Sequence, residues 1–278
     1  MKIAIISDVH GNWEALRTTL EDIKKRDVDK IFCLGDTIMK GVHNSECIRL
    51  IKENCDIILR GNTDRHFTTD FEDISIYPEY EQKRIKWMQE KLSNEEKTFL
   101  HQLPFSYEFY MSGSLVRIFH ATPEADDVPV LNHSSIKEKL NMFYPSKNTI
   151  SQEIADVVIY GHIHHPYMDS LYNKTLINVG SIGNPFETIR NPEKDSNCLE
   201  ITRATYLILE GEYGSKEYKS DISFQLIKVP YDIDKELVDE NLNIEKENYH
   251  YELKNGMYRN MEKVNGNFRK AGINPDEF

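Results

Sequence analysis

The sequence contains no long apolar run. None of its hydrophobic stretches approaches the roughly 18–20 residues that a helix needs to cross a bilayer. The first run, Ile3 to Ile6, is also too short for the apolar region of a signal peptide, and charged or polar residues follow it at once. We therefore expect a cytoplasmic protein that neither spans a membrane nor is secreted.

Cysteine is scarce, and its spacing shows no paired motif. The four cysteines, Cys33, Cys47, Cys55 and Cys198, include no Cys-x-x-Cys pair. This spacing excludes a thiolate zinc cluster and a disulfide framework, and it is typical of ordinary buried thiols in a reducing compartment.

Basic residues are outnumbered, with 34 Lys+Arg against 46 Asp+Glu and a formal net charge of −12. Binding to the backbone of a long nucleic acid needs a basic face, so this class of partner is disfavoured. A small anionic substrate stays compatible, because bound divalent metals reverse the local sign of a site. The 39% of hydrophobic residues in 278 suffice for one large domain, alone or with an appendage.

Strand and helix patterns alternate along the first 62 residues. Apolar runs predict strands at Lys2–Ser7, Lys30–Leu34 and Asp56–Arg60, and helical spacing predicts helices at Asn12–Arg26 and Ser45–Asn54. By itself this alternation favours an α/β protein with a single doubly wound sheet that is covered on both faces.

The rest of the chain mixes helices with further strands. A helical pattern runs from Pro78 to Leu92, and Ser93 with Glu96 forms a capping-box pattern that opens a helix at Asn94–Gln102. The remaining predicted strands are Phe105–Met111, Leu115–His120, Asp156–Tyr160, Thr175–Val179, Arg203–Leu209 and Ser223–Val229. We expect one domain over residues 1–231, and a charged helical extension over residues 232–278 that packs on the domain, caps a cleft or contacts another subunit.

Five of the predicted buried strands end in oxygen or nitrogen donors. In open α/β sheets ligands bind at the carboxyl ends of the strands, so the tips should converge. The seven donors are Asp8, His10, Asp36, Asn62, His120, His162 and His164. They are too many for one tetrahedral zinc and suit two metals about 3.5–4 Å apart that share a carboxylate. Each donor alone has a structural interpretation, as a turn residue or a hydrogen-bonded core histidine, but five strand ends in order favour a two-metal centre.

These donors stand in motifs that resemble the five blocks of the calcineurin-like metallophosphoesterases. The motifs are Asp8-Val9-His10, Gly35-Asp36, Gly61-Asn62-Thr63-Asp64, His120 and Gly161-His162-Ile163-His164. The resemblance covers about residues 1–229, and the stretch from Val179 to Pro185 is similar to one in the compact bacterial phosphodiesterase branch. It implies a two-sheet β-sandwich flanked by helices in place of a single sheet.

The resemblance also implies roles for the donors. Asp8, His10, Asp36 and His164 would hold a first metal, and Asp36 would bridge to a second metal held by Asn62, His120 and His162. The catalytic set implied is Asp8, Asp36, Asn62, His120 and His164, with a hydroxide between the metals attacking phosphorus in line. Because the donors include no thiolate, Mn, Fe, Zn and Co are all compatible, and we expect Mn²⁺ to support activity in vitro.

One position departs from the family pattern. Many relatives carry a histidine after the asparagine of the third block, where it is thought to protonate the leaving group, and this chain has Thr63. A threonine hydroxyl is not a competent general acid near neutral pH. Either the leaving group departs unprotonated, or another residue such as His66 or His43 serves. The departure opposes unactivated alkyl monoesters as substrates.

Four further side chains are candidates for contact with substrate phosphate: Arg60, Arg65, Lys40 and Asn184. For the cationic residues among them, charge balance beside a metal site is an equally ordinary role. The segment from Ala121 to Lys147 is rich in loop residues and directly follows His120, so we expect it to line the pocket entrance.

The sequence therefore predicts a two-metal phosphoesterase acting on phosphodiester or phosphoanhydride bonds of small phosphorylated molecules. A dinucleoside polyphosphate is the preferred substrate, and a homo-oligomer is one way in which the extension could be used. The alternatives are a protein phosphatase or phosphomonoesterase, a nuclease, and a metal-binding scaffold without activity. The complete donor set opposes the scaffold, and the acidic charge opposes the nuclease.

Overall fold

A computed structural model describes residues 1–68, 74–77, 79–186, 202–238 and 243–258. The described strands are β1 (Lys2–Ile6), β2 (Lys30–Cys33), β3 (Ile57–Ile58), β4 (Ser106–Met111), β5 (Ser114–Phe119), β6 (Val157–Tyr160), β7 (Tyr167–Leu171), β8 (Lys174–Asn178), β9 (Ala204–Glu210) and β10 (Ser223–Val229). The described helices are α1 (Trp13–Lys24), α2 (Asn44–Asn54), α3 (Asn62–Thr68), α4 (Glu79–Lys91), α5 (Asn94–His101), α6 (Ile136–Asn141), α7 (Ile233–Glu236) and α8 (Lys246–Asn255), with a 3₁₀ turn at Ile74–Ile76.

The described strands form two mixed five-stranded sheets. The first has the order β10-β9-β1-β2-β3 and the second β4-β5-β6-β8-β7. In the first sheet β1, β2 and β3 run parallel, and β9 and β10 add antiparallel strands at one side. In the second, β5, β6 and β8 run parallel between the antiparallel strands β4 and β7. Parallel strands from both sheets thus present their carboxyl ends to the loops that carry the donors.

The main core lies between the two sheets and follows the two-residue period of the strands. Ile3 and Ile5 of β1 share one core cluster with Ile118 and Ile159 of the second sheet and are fully buried. On the other face of β1, Ala4 and Ile6 belong to the cluster that packs against α1 and α2. Burying one such side chain contributes about 1.5–3 kcal/mol. The apolar runs of β1 are continuous because both faces of the strand are covered.

The two-sheet architecture implied by the resemblance is confirmed, and the single doubly wound sheet is wrong. The hairpin of β4 and β5 pairs with β6 rather than with the first sheet. Strand periodicity reports that both faces are buried, but it carries no information about which strand lies alongside. A second sheet buries a strand face as completely as a layer of helices does.

Most predicted elements are present with small shifts at their ends. Asn12 caps α1, its side chain accepting from the backbone N–H of Ala15 at 3.0 Å. The capping box at the start of α5 is also confirmed, with Ser93 and Glu96 bonding reciprocally. Pro78 lies outside the described residues, and α4 begins at Glu79. Strand β7 and helices α3 and α6 were not predicted, since they are short or amphipathic segments inside polar, loop-like sequence.

The predicted extension turns back onto the domain. Leu237, Tyr249 and Leu253 form a small buried cluster, and the carbonyl of Leu253 accepts from Thr202 Oγ1 at 2.7 Å. Residues 259–278 lie outside the described part. Of the cysteines, Cys33, Cys47 and Cys55 are free, and Cys198 is outside the described residues. No helix in the described ranges has the length and apolar character needed to cross a membrane.

Candidate metal centre

The loops after the strands hold their donors in an unusual backbone conformation. Asp8, His10, Asp36, His162 and His164 all have positive φ, between 52° and 68°. Each such non-glycine residue costs about 1–3 kcal/mol, which the surrounding structure must offset. Hydrogen bonds between the β1 and β2 loops hold the turn, with Asp8 N–H donating to Gly35 O and His10 N–H to Asp36 O, both at 3.0 Å. These backbone bonds hold the two strand tips against each other.

A first group of ligand atoms comes from Asp8, His10 and His164, all buried, with atoms within 4.8 Å of one another. The Nε2 atoms of His10 and His164 face each other at 3.0 Å. Asp8 Oδ1 lies 3.2 Å from the Nε2 of His164 and 3.6 Å from that of His10. Among the described residues this buried oxygen has no hydrogen-bond partner within bonding geometry. Three electron-pair donors thus converge on one point.

Backbone carbonyls set the orientation of three imidazoles. The Nδ1 atoms of His10, His120 and His164 contact the carbonyl oxygens of Ile38 (3.1 Å), Leu34 (2.9 Å) and Asn184 (2.5 Å). A carbonyl only accepts, so this network assigns the ring proton to Nδ1 and leaves the Nε2 lone pair facing the site. Such carbonyl contacts are the usual outer support of metal-binding histidines.

A second group comes from Asp36, His120 and His162, whose ligand atoms also lie within 4.8 Å of one another. The Asn62 amide joins this group. Its inward-facing terminal atom lies 3.1 Å from His120 Nε2, 3.0 Å from His162 Nδ1 and 3.2 Å from Asp36 Oδ2. With the Asn62 oxygen facing inward, it meets three further acceptor atoms, those of His120, His162 and Asp36. A bound cation requires such a group of acceptors.

Asp36 lies between the two groups. Its Oδ2 is 3.6 Å from His10 Nε2 in the first group and 3.5 Å from His120 Nε2 in the second. Its other oxygen, Oδ1, accepts from the backbone N–H of Thr63 at 2.8 Å, which fixes the carboxylate plane. One carboxylate can therefore serve both groups, as the sequence-derived arrangement requires.

The carboxylates and imidazoles of the site shift one another's pKa values. Burial opposes ionisation of Asp8 and Asp36, but neighbouring imidazoles outweigh it and hold the pKa of both carboxyls below the ordinary range. Burial would lower the pKa of His120, yet the charges of Asp36, Asp8 and Asp64 raise it to about 10. Burial, with the charge of His120, lowers the pKa of His162 to about 4. The carboxylates thus attract positive charge into the site.

These residues fit a pair of metal ions. Buried acceptors that face one another without donors are unfavourable unless a cation lies between them. The donor set is carboxylate, amide oxygen and imidazole with no thiolate, and this set suits Mn, Fe, Zn or Co. All seven sequence-predicted donors belong to the two groups or contact them.

Asp64 supports the site and was not singled out from the sequence. Its carboxylate accepts from the backbone N–H groups of Asp36 (2.8 Å), Thr37 (3.0 Å) and Gly61 (3.0 Å). Burial and the charge of Asp36 raise the pKa of Asp64 to about 6, although its backbone donors favour the ionised form. The residue ties the β2 and β3 loops together. The position of Asp64 in the third motif is the sequence feature that could have indicated this role.

The glycine-rich stretch from Val179 to Pro185 folds against the β1 loop. The N–H of Gly183 and the hydroxyl of Ser181 both donate to the carbonyl of Asp8, at 2.9 and 2.8 Å. A Cβ on Gly183 would lie 1.8 Å from the carbonyl oxygen of Val9, so no larger residue fits. The stretch therefore buttresses the first ligand group.

The four predicted phosphate contacts occupy different surroundings. Arg65 is half-exposed, with three hydrogen bonds to Asp126 and one to Asp127 in the segment after His120. Arg60 donates to the carbonyl of His101 at 3.2 Å. Lys40 and Asn184 are buried, and both donate to a carboxylate of α8 described below. Asn184 in addition supplies the carbonyl behind His164.

The side chains of Thr63, at the general-acid position, and of His66, a nearby substitute, bond to groups other than the candidate metal ligands. Thr63 Oγ1 donates to the carbonyl of Ile38 at 3.2 Å. His66 pairs with Glu81 of α4 at 2.9 Å and packs edge-on against Phe67 and Tyr77. His43 precedes α2, and its carbonyl accepts from Cys47 N–H.

Glu252 lies next to the site, and no pattern in the sequence indicates it. It is fully buried, and its Oε2 accepts from Asn184 Nδ2 at 2.8 Å and from Lys40 Nζ at 3.1 Å. Glu252 lies in a highly charged C-terminal stretch where nothing distinguishes it from its exposed neighbours.

Comparisons with known proteins agree with this geometry. The model of the calcineurin-like phosphoesterase superfamily domain matches residues 1–203. The uncharacterized protein MJ0912 of Methanocaldococcus jannaschii is 32% identical over 249 residues, covering 84% of this chain and 89% of the relative. A metallophosphoesterase from Sphaerobacter thermophilus has a similar structure, with a TM-score of 0.66 at 21% identity over 92% of this chain and all of that one. The hypothetical protein PH1004 from Pyrococcus horikoshii gives 0.69 at 18% identity, over 92% of this chain and 99% of its own.

Proposed function

The chain belongs to the calcineurin-like phosphoesterase superfamily, and from this premise we propose that it hydrolyses phosphodiester or phosphoanhydride bonds of small phosphorylated molecules. It is a metal-dependent phosphoester hydrolase with two candidate metal-binding groups. The observation that carries the proposal is the position of Asp36, whose Oδ2 lies 3.6 and 3.5 Å from a histidine of each group. A dinucleoside polyphosphate is the proposed natural substrate, and Mn²⁺ the proposed metal in vitro.

The roles of the ligands remain part of the proposal. Asp8, His10, Asp36 and His164 would hold the first ion, and Asp36, Asn62, His120 and His162 the second. When bound, two such ions supply Lewis acidity and neutralise the charge that develops in an in-line displacement at phosphorus. The chain's own part is orientation: carbonyls fix three imidazoles, and Thr63 N–H fixes the shared carboxylate.

The surroundings of Thr63 support the choice of bond. Its hydroxyl donates to a backbone carbonyl, and a threonine hydroxyl is in any case too weak an acid to protonate an alkoxide near neutral pH. Phosphate and nucleotide oxygens leave without such help, whereas alkyl alcohols do not. The site therefore favours diesters and anhydrides with good leaving groups over alkyl monoesters.

Substrate contact is proposed for Arg65 and Arg60. Arg65 lies in α3 three residues after Asn62, and its guanidinium is held by Asp126 while remaining 37% exposed. This positions a cation on the helix that carries a metal ligand, where a planar fork suits phosphate oxygens. The cytoplasmic location is likewise proposed, and it agrees with the three free cysteines of the described residues.

The proposal is tested by Mn²⁺-dependent turnover of bis(p-nitrophenyl) phosphate beside p-nitrophenyl phosphate. We expect the diester to be preferred by about tenfold or more in kcat/KM, equivalent to about 1.4 kcal/mol of transition-state stabilisation. Asp36→Asn should abolish turnover, while Asp234→Asn, a matched change at a highly exposed aspartate, should not alter it.

A preference for the monoester would overturn the proposed bond specificity and favour a phosphatase. Turnover that survives Asp36→Asn would overturn the assignment of the centre. A panel of dinucleoside polyphosphates, with product phosphates identified by chromatography, then tests the natural substrate.

A further inference from the structure

Helix α8 places a carboxylate next to the first ligand group. Glu252 has no exposed surface, and its Oε2 accepts from Lys40 Nζ at 3.1 Å and from Asn184 Nδ2 at 2.8 Å. Lys40 is itself only 8% exposed. A buried ion pair is costly to desolvate and contributes little net stability, so its presence at this point calls for a reason other than folding.

Lys40 and Asn184, the partners of Glu252 given above, both connect to His164. Asn184 supplies the carbonyl that contacts His164 Nδ1 at 2.5 Å. Phe186 stacks on the His164 ring with centroids 4.5 Å apart, and Lys40 Nζ lies 5.2 Å from the centroid of Phe186. The lysine is thus near enough for its charge to act on a ligand of the first group.

The C-terminal segment that carries α8 also fixes the position of Lys40. Asn243, which precedes α8, donates its side-chain N–H to the backbone carbonyl of Lys40. Lys40 and Met39 have positive φ values of 74° and 78°, and the adjacent Ile38 carbonyl orients His10. The C-terminal segment therefore holds the loop between β2 and α2 on the outer side of the first group.

We propose that Glu252 is a positioning residue of the first metal site, whose negative charge balances Lys40 beside His164 and so keeps the site able to bind a cation. The C-terminal segment is then a functional part of the metal centre. The inference rests on the proposed function only in requiring that the centre binds metal ions. Its mechanism is electrostatic: a buried lysine without this carboxylate repels a divalent ion, and low dielectric strengthens the repulsion.

The test is a calorimetric Mn²⁺ titration in an Asn62→Ala background, which removes a ligand of the second group and isolates the first. Adding Glu252→Gln should weaken Mn²⁺ binding by about 10–100-fold, the range found for outer partners of metal ligands. Glutamine keeps the shape and can still accept from Asn184, so the change removes mainly charge. Glu247→Gln, the same substitution at an exposed position of the same helix, should leave affinity within about threefold of the parent.

Lys40→Met separates charge balance from packing. In the Asn62→Ala background it should tighten Mn²⁺ binding, and together with Glu252→Gln it should return affinity to within about threefold of the parent. A packing role predicts the opposite, because losing two buried polar partners would only add damage. If Glu252→Gln alone does not fold, Mn²⁺ affinity is compared between Lys40→Met and the double variant, which differ by the same carboxylate charge and both lack the lysine.

The outcomes separate this inference from the proposed function. If wild type and parent bind no Mn²⁺, both are overturned. If the parent binds but Glu252→Gln changes affinity by less than about threefold, or Lys40→Met gives no rescue, only the role of Glu252 is overturned.

Discussion

At the residue scale, the direction of each histidine ring decides what the site can bind. A carbonyl behind Nδ1 of His10, His120 and His164 leaves Nε2 for the centre. His162 differs, since its Nδ1 is the atom close to Asn62, and its backbone N–H donates to Asp8 Oδ2 at 2.9 Å. His162 thereby connects the two ligand groups through a main-chain bond.

Thr63 gives a prediction at this scale. Thr63→Val keeps the backbone N–H that donates to Asp36 Oδ1 and removes only the hydroxyl, which donates to Ile38 O. The Ile38 carbonyl keeps its contact with His10 Nδ1 when the hydroxyl is removed. We therefore expect the free energy of unfolding to fall only by about 0.5–1.5 kcal/mol, the net contribution of one hydrogen bond. We expect kcat for bis(p-nitrophenyl) phosphate to stay within about fivefold of wild type, because the hydroxyl is not a general acid.

Steady-state kinetics and urea unfolding measure the two effects, with Thr63→Ser as the variant that retains the hydroxyl. A loss of about 100-fold or more in kcat for valine but not for serine would show that the hydroxyl takes part in proton transfer.

At the element scale, the close approach of the β6 loop to the β1 loop shapes the centre. Gly161 follows β6 and precedes His162, and its N–H donates to the carbonyl of His120 at 2.9 Å. A Cβ at this position would lie 2.0 Å from Ser7 Oγ and 2.6 Å from Asp8 Oδ2. The two strands come from different sheets, so this contact sets the distance between the ligands of β1 and those of β6.

Gly161→Ala should therefore displace Asp8 or His162. We expect Mn²⁺ affinity to fall by about tenfold or more, and stability by about 1–3 kcal/mol from overpacking. Calorimetric titration and thermal unfolding measure these effects. Gly214→Ala is the control: φ is +81° there but no atom lies within 4 Å of the added Cβ, so only backbone strain of about 1–2 kcal/mol should appear. Unchanged Mn²⁺ binding in Gly161→Ala would contradict this account of the loop contact.

At the scale of the whole molecule, the metal centre joins two sheets and the C-terminal segment. The candidate ligands follow β1, β2 and β3 in the first sheet and β5 and β6 in the second. Without cations, the buried carboxylates and imidazoles of both sheets face one another. Metal binding should therefore act on global stability and not only on the loops.

Chelation should lower the melting temperature of the whole chain. At Mn²⁺ concentrations of about 100 Kd, linkage adds about 2.7 kcal/mol per site. For a chain of this size each kcal/mol corresponds to about 2–4 °C, so one site should raise the melting temperature by about 5–10 °C. Calorimetry with EDTA and with Mn²⁺ measures the shift, and Asp36→Asn should reduce it. Equal melting temperatures in both conditions would mean that the two sheets do not depend on the metals.

The sequence by itself determined the local elements and indicated the candidate donors. Strand periods at β1 and β6, the Asn12 cap and the Ser93–Glu96 box depend on contacts within a few residues, which local pattern encodes. The motifs indicated the seven candidate donors, because carboxylate, amide and imidazole groups suit a cation. The two-sheet fold was implied by the resemblance to the family.

Only the tertiary structure decided which atoms meet. It placed Asp36 between the groups, assigned the carbonyls behind the histidines, and brought Glu252 to Lys40 across more than two hundred residues. Contacts of this kind depend on how sheets and helices pack, and a single glutamate in a charged stretch carries no local signal of burial. A short sequence pattern can encode the residue types of the donors. The contacts that support the donors form only when the chain is folded.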